Sequence, residues 1–412
     1  MNQQKTPLQR PPRPQAQRYV GRPIRLPKKC APPKGLVITT VVTGALLVIS
    51  LMILSIALIV GPTEQRESDG GGEKKDSAQT QVNTDTPKQP TKKNFLSFPS
   101  QTAGGVALSV PSTAVTEDSV IKSQAAILVD AGSGEAIFAQ SAEVSIHPAS
   151  MTKVMTVLVA CEMATDPNEL LTVTPEMIEA LNTKENKTVK VNGFWTSKGA
   201  STFGGWQAGD QITVEDALFL ANYQSDTIAC WLLANRFGCG EQGFVDKMNQ
   251  KAQVMNLKNT SFVNCTGLEN ENHKTTCLEM ASIMRAAMNN PAAKKVITSY
   301  EEYAITVYRN EKMNRTLSMY ATWFSKRLEN IPKVCNGSDL RFVGGKTGWE
   351  TTPTACFVTA IENTQTGKQY ICVTVGRISQ GNSVLEKECA ADARYLCRTY
   401  IDKVNVDWNK LL

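Results

Sequence analysis

The sequence predicts an α+β domain, an antiparallel sheet flanked by helices, and three observations carry that reading. Ala125–Asp130 (AAILVD) and residues 135–139 are short apolar runs around the turn-forming Ala131-Gly132-Ser133-Gly134, as in two strands joined by a tight connection. A long stretch of helical composition follows. Strand-like runs then return at 342–346, 355–361 and 370–375. Strands at both ends of a helical middle imply one sheet with helices on both of its faces.

Taken in order, the helical middle opens around Pro148 to Ser150 and runs on through MTKVMTVLVACEMA. Residues 213–233 are helical in composition but are broken by the polar stretch 222–226. Two further helices are expected at 244–255 and 279–288, with Thr260-Ser261-Phe262-Val263-Asn264 between them. A helix over about 382–404 closes the chain. Residues 174–211 contain Gly, Asn and Trp with few regular patterns, and are expected to line a cleft or form surface loops.

Charge placement matters more than the net charge of +6. Residues 1–35 hold nine Lys and Arg and no acid, so the remaining 35 basic and 38 acidic residues sum to −3. The positive total describes a short cytoplasmic tail, and no nucleic-acid partner is expected. From Leu36 to Val60 the chain runs 25 residues without a charge. At 1.5 Å per residue this spans ~37 Å, enough to cross a lipid bilayer. It is too long for a cleaved signal peptide and has no polar face for a core helix. A transmembrane signal anchor is expected, with residues 1–35 cytoplasmic and everything after Gly61 outside. Residues 61–118 are rich in Gly, Ser, Thr, Gln, Lys and Pro and read as a flexible linker, leaving 119–412 as the catalytic domain.

Ten of the eleven cysteines follow the apolar run, which permits disulfides in an exported domain. Several, such as Cys230 and Cys372, sit in apolar stretches that suit buried free thiols. His147 and His273 are the only histidines, and no cysteine or histidine spacing suggests a metal.

The chemistry-bearing residues begin with Ser150 and Lys153. Their spacing places both side chains on one face of a helix. A serine hydroxyl is a poor nucleophile at neutral pH unless a base takes its proton. A lysine depressed in pKa by burial and a second cation can be that base. Lys346, in Lys346-Thr347-Gly348, could supply the second cation, and the set points to acyl transfer through a serine ester. Each part alone has an ordinary reading: Ser150 as a helix cap, Ser225 as a turn residue, Lys346-Thr347-Gly348 as a strand running into a turn. His147 reads as an exposed loop residue. Trp195 and Trp206 pack a loop as readily as they touch a peptide.

These motifs and their surroundings resemble the low-molecular-weight penicillin-binding proteins of the SxxK acyl-serine transferase superfamily, specifically serine-type D-Ala-D-Ala carboxypeptidases. The resemblance runs from about Ala125 to Tyr400. It rests on AAILVDAGSGE, PASMTK, QSDTIAC, LKNTSFVNCTGLENENHKTTCLEMA and GGKTG followed by two apolar strands. It implies a β-lactamase/transpeptidase-like domain with a helical subdomain. Position by position, it implies Ser150 as the acylated nucleophile, Lys153 as general base and Ser225 as proton relay to the leaving amine. Lys346 would hold the positive potential of the site. Thr347 would offer its hydroxyl to the substrate carboxylate, and Gly348 would let the strand edge approach the substrate. Backbone N–H groups of Ser150 and Trp349 would form an oxyanion hole.

Two positions depart from the family pattern. Thr227 stands where the middle motif usually carries Asn, which removes an amide that contacts the substrate. Arg377 is the only arginine in 376–383 and is displaced from the place where relatives bind the terminal carboxylate. The implied substrate is a peptidoglycan pentapeptide ending in D-Ala-D-Ala, with β-lactam antibiotics as acylating inhibitors and no cofactor or metal. Many of these relatives carry a C-terminal anchor; here the N-terminal segment is expected to replace it. A β-lactamase using Glu179 and Asn182 to deacylate, or a catalytically impaired envelope or sporulation protein, are the alternatives.

Overall fold

The structure is a computed structural model and describes residues 96–98, 108–310, 312–321, 337–349, 355–376, 382–405 and 407. The expected apolar span from Leu36 to Val60 lies outside these residues. Among the described residues, no helix is long and apolar enough to cross a membrane.

Strand β1 (Ala125–Asp130) is buried at every position but its last. It pairs with β2 (Ala136–Gln140) on one side and with β11 (Gln369–Val375) on the other. β11 pairs with β10 (Ala355–Asn363), and β10 with β9 (Leu340–Trp349), giving five antiparallel strands in the order β2-β1-β11-β10-β9. Burial without alternation from Ala355 to Ile361 means that both faces of the sheet are covered. α8 (Asn382–Leu396) packs on β10 and β11, while α6 (Cys277–Asn289) packs on β1, β10 and β11 and α7 (Pro291–Thr298) on β9.

The helical layer starts at α1 (Thr152–Met163), preceded by a single 3-10 turn, Ala149–Met151. α1 is apolar almost all round, as befits a helix enclosed by others. α3 (Val214–Tyr223), α4 (Thr227–Gly238), α5 (Glu241–Val254), α6 and α7 pack on it, while α2 (Pro175–Leu181) packs on α4. Side-chain caps set the starts of α2, α3, α4, α6 and α7. Thr174, Thr213, Asp226, Thr276 and Asn290 each accept a backbone N–H of the first turn, and Pro occupies the first position of α2 and α7.

The five-stranded sheet, α1, α3 to α6, α8 and the break between α3 and α4 agree with the sequence reading; α7 does not appear in it. Nor does a second sheet. β3 (Leu170–Thr172), β6 (Asp210–Thr213), β7 (Tyr303–Arg309) and β8 (Lys312–Met319) pair in that order. β7 turns Tyr303, Ile305 and Val307 inward at a legible period of two. β3 and β6 are too short to show a period and exist through their pairing. The stretch 174–211 also holds more structure than loops, with α2 and a hairpin of β4 (Val189–Val191) and β5 (Phe194–Thr196). That hairpin turns at Asn192 and Gly193, both with positive φ, which suits the Asn-Gly pair.

Residues 108–118, placed in the linker by composition, run beside β2. Ser109 accepts from Ala136 N at 3.0 Å, and Val115 accepts from Ala139 N at 2.8 Å. Asp118 accepts from the hydroxyls of Tyr395 at 3.1 Å and Tyr400 at 2.7 Å. The cysteines at 161, 230, 265, 277, 356, 372, 389 and 397 are buried thiols outside any disulfide, whereas Cys239 is disulfide-bonded.

Candidate active site

Ser150 occupies the 3-10 turn before α1, so Lys153 arrives beside it with Nζ 3.2 Å from Oγ. Ser225 reaches the same atom from across the cleft, its Oγ donating to Ser150 Oγ at 2.9 Å. This approach depends on the break between α3 and α4, where Ser225 adopts φ +57°. A left-handed conformation is unfavourable for a residue with a side chain and persists only when its surroundings hold it. Asp226 does so as the cap of α4, accepting from Ala229 N at 2.9 Å, Phe203 N at 2.7 Å and Trp206 Nε1 at 3.1 Å. On the other flank, Gln224 Nε2 donates to Tyr320 O at 2.6 Å.

Lys153 is 2 % exposed. Burial holds its ammonium below the ordinary lysine range, while Cys230, Cys265 and Asp226 pull in the opposite direction. The sequence reading assigned part of this depression to a second cation; desolvation is its leading cause. Nζ donates to Thr266 O at 2.5 Å. A neutral amine in this position spends one N–H on that carbonyl and keeps its lone pair for the Ser150 proton.

Thr266 lies in the turn from Asn264 to Leu268. Asn264 Oδ1 organises it, accepting from Thr266 N at 3.2 Å, Gly267 N at 2.7 Å and Leu268 N at 3.0 Å. Gly267 has φ +83°, and a Cβ there would lie 1.9 Å from Ala149 O. Gly267→Ala should therefore cost at least about 2 kcal/mol and displace the nucleophile's turn. A melting temperature close to wild type with normal acylation would refute that close approach. His273 ties the segment to α1 from behind. Its Nδ1 accepts from Val263 N at 3.2 Å, so Nε2 carries the proton and donates to Thr152 Oγ1 at 2.8 Å. Burial carries its pKa down to about 3, which keeps it neutral. His147 is half-buried, not exposed.

β9 forms the remaining wall. A Cβ on Gly348 would lie 3.0 Å from Ser150 N and 2.5 Å from Cys356 Sγ, so only glycine lets the strand come this close. Gly376 N donates to Ala355 O at 2.9 Å, so Ala355 turns its polar backbone groups toward β11. Its partner Trp349 therefore points N–H and C=O to the free edge of β9, as does Thr347 two residues earlier. Lys346 Nζ donates to Thr347 O at 2.8 Å, which sets the ammonium at that edge.

The structure thus joins Ser150, Lys153 and Ser225 directly and sets Gly348 against Ser150, with Thr347 and Trp349 on the facing strand edge. Thr227 is 1 % exposed in the first turn of α4, its N–H donating to Ser201 O at 2.8 Å. Arg377 lies outside the described residues. Asn264, Thr266, Gly267 and His273 are the members that sequence reasoning missed. The one signal available was a glycine three residues after an asparagine.

Residues 112–378 match the peptidase S11 family model, D-alanyl-D-alanine carboxypeptidase. The chain is 29% identical over 192 residues to D-alanyl-D-alanine carboxypeptidase DacF of Bacillus subtilis, covering 46% of this chain and 44% of that one. It is 26% identical over 282 residues to DacC of Escherichia coli, covering 68% and 61%. The chain thus spans about half the length of the curated relatives it matches. In fold it is similar to the DD-transpeptidase of Streptomyces K15, with TM-score 0.54 and 20% identity over 70% of this chain and 100% of that chain. A D-alanyl-D-alanine carboxypeptidase structure from Mycobacterium tuberculosis gives TM-score 0.52 at 21% identity over 70% and 96%.

Proposed function

The chain belongs to the peptidase S11 family of D-alanyl-D-alanine carboxypeptidases, and from that premise we propose that it cleaves the terminal D-Ala-D-Ala bond of peptidoglycan stem peptides through an ester on Ser150. The convergence of Lys153 Nζ at 3.2 Å and Ser225 Oγ at 2.9 Å on one serine hydroxyl carries this reading.

Lys153 takes the Ser150 proton as Oγ attacks the carbonyl carbon. The developing oxyanion falls between the Ser150 and Trp349 N–H groups, each such donor contributing ~3–4 kcal/mol to the transition state. Collapse breaks the C–N bond, and the proton passes through Ser225 to the departing D-alanine amine. Water then opens the ester and restores Ser150. Lys346 and the Thr347 hydroxyl hold the substrate carboxylate at the free edge of β9. A β-lactam enters the same path, but its leaving amine stays tethered after ring opening.

Incubating the protein with a tripeptide ending in D-Ala-D-Ala should release free D-alanine, and a fluorescent penicillin should label it covalently. Failure of both would refute the reading. Glu179, the deacylating candidate of the β-lactamase alternative, instead sits on the surface, accepting from Asn192 Nδ2 at 2.8 Å. That placement favours a long-lived penicilloyl ester.

The uncharged run from Leu36 to Val60, behind nine basic residues and no acid, supports a single-pass bacterial membrane protein with its catalytic domain outside. Protease added to wall-stripped cells should release that domain; its protection would overturn the topology.

A further inference from the structure

Glu241, the first residue of α5, is 2 % exposed and has no part in the chemistry above. Its two oxygens face in different directions. Oε2 accepts from Trp195 N in β5 at 2.6 Å, whereas Oε1 accepts from Cys265 N at 3.1 Å and Cys265 Sγ at 3.3 Å. Cys265 directly precedes Thr266, whose carbonyl takes Lys153 Nζ at 2.5 Å. From the carboxylate, the path to the catalytic amine is one N–H, one residue and one carbonyl. Burying a carboxylate costs free energy that an apolar residue at the start of a helix would not incur.

We propose that Glu241 is a positioning residue for Lys153, holding the Cys265 N–H and, through it, the Thr266 carbonyl at the point where the amine needs an acceptor. The inference rests on the acyl-transfer reading above. The ionised carboxylate offers a full acceptor oxygen to both Trp195 and Cys265. Protonated, it keeps one carbonyl acceptor, while its hydroxyl oxygen gains a donor and accepts only weakly; a glutamine likewise keeps one strong acceptor and presents an NH2 to the other N–H group. The titratable groups facing it are Lys190 from β4, Cys265 from the turn and Cys230 from α4. Burial pushes Glu241 up to about 7, against the pull of its hydrogen bonds and Lys190. Both states are therefore reached within an ordinary assay range.

The test is the rate of acylation by a fluorescent penicillin in wild type and Glu241→Gln, measured from about pH 5.5 to 8.5. Glu241 is not among the charges that act on Lys153, so the titration of Lys153 runs alike in both proteins and cancels in the ratio of rates. Wild type should be faster by about tenfold or more at the alkaline end, where its two acceptors are intact. The rates should converge to within about twofold at the acid end, where wild type, like the variant, has lost its second strong acceptor. A ratio that stays constant with pH, at one or at any larger value, would overturn the proposal; the larger constant value marks a glutamate that only supports the fold. Should the variant not fold, hydrogen exchange of wild-type residues 262–268 decides. Protection, corrected for intrinsic exchange, should fall as pH drops through about 7, and unchanged protection would refute the role. Absence of labelling in wild type at every pH would remove the acyl-transfer reading itself, whereas labelling with a constant ratio removes only Glu241.

Discussion

Ser150→Ala should abolish penicillin labelling outright and lower peptide hydrolysis by on the order of a thousandfold or more, with little change in melting temperature. The hydroxyl is the atom on which Lys153 Nζ and Ser225 Oγ converge, and no ester forms without it. The fold loses little. Ser150 is only half-buried, and its helix start has no side-chain cap to lose. Lys153 keeps Thr266 O as acceptor, and Ser225 faces the cleft, so about 1 kcal/mol is the expected scale. Labelling at the wild-type rate would mean that another nucleophile carries the ester.

Lys153→Met should lower acylation by about a hundredfold to ten-thousandfold, the usual range for loss of a general base. It also makes a stability prediction with a definite sign. Burial places the folded pKa of Lys153 below its ordinary 10.5, so between those two values the unfolded chain binds a proton that the folded chain does not. The stability contributed by this group is full above 10.5 and declines as pH falls toward the folded pKa. Methionine has the length of the lysine stem and no proton to bind. Melting temperatures of the two proteins, compared from about pH 7 upward, should shift in favour of wild type as pH approaches 10.5. A difference that does not vary with pH would mean that Lys153 is not depressed in the folded state. Activity should follow the same titration, rising with pH as the amine loses its proton.

Some of this was legible because it is local. A helix repeats every 3.6 residues, so Ser150 and Lys153 had to share a face once a helix began at residue 149 or so. Apolar runs gave β1, β10 and β11, and the polar break at 222–226 separated α3 from α4. The left-handed backbone at Ser225 was not legible, because its support comes from Phe203, Trp206 and Tyr320, each remote in sequence or on another element.

What the sequence by itself determined is the chemical inventory and its local geometry: a serine and lysine one turn apart, a second serine in a helix break, and a Lys-Thr-Gly strand. What only the tertiary structure decided is the environment of those groups. Lys153 can act as a base because packing removes water around it, and burial is a property of all the surrounding elements together. Thr266 can hold its amine because Gly267 lacks the Cβ that would collide with Ala149 O, a contact between residues more than a hundred positions apart. Spacing along the chain encodes which side chains share a helix face, whereas desolvation and close backbone approach arise from long-range packing that no local pattern records.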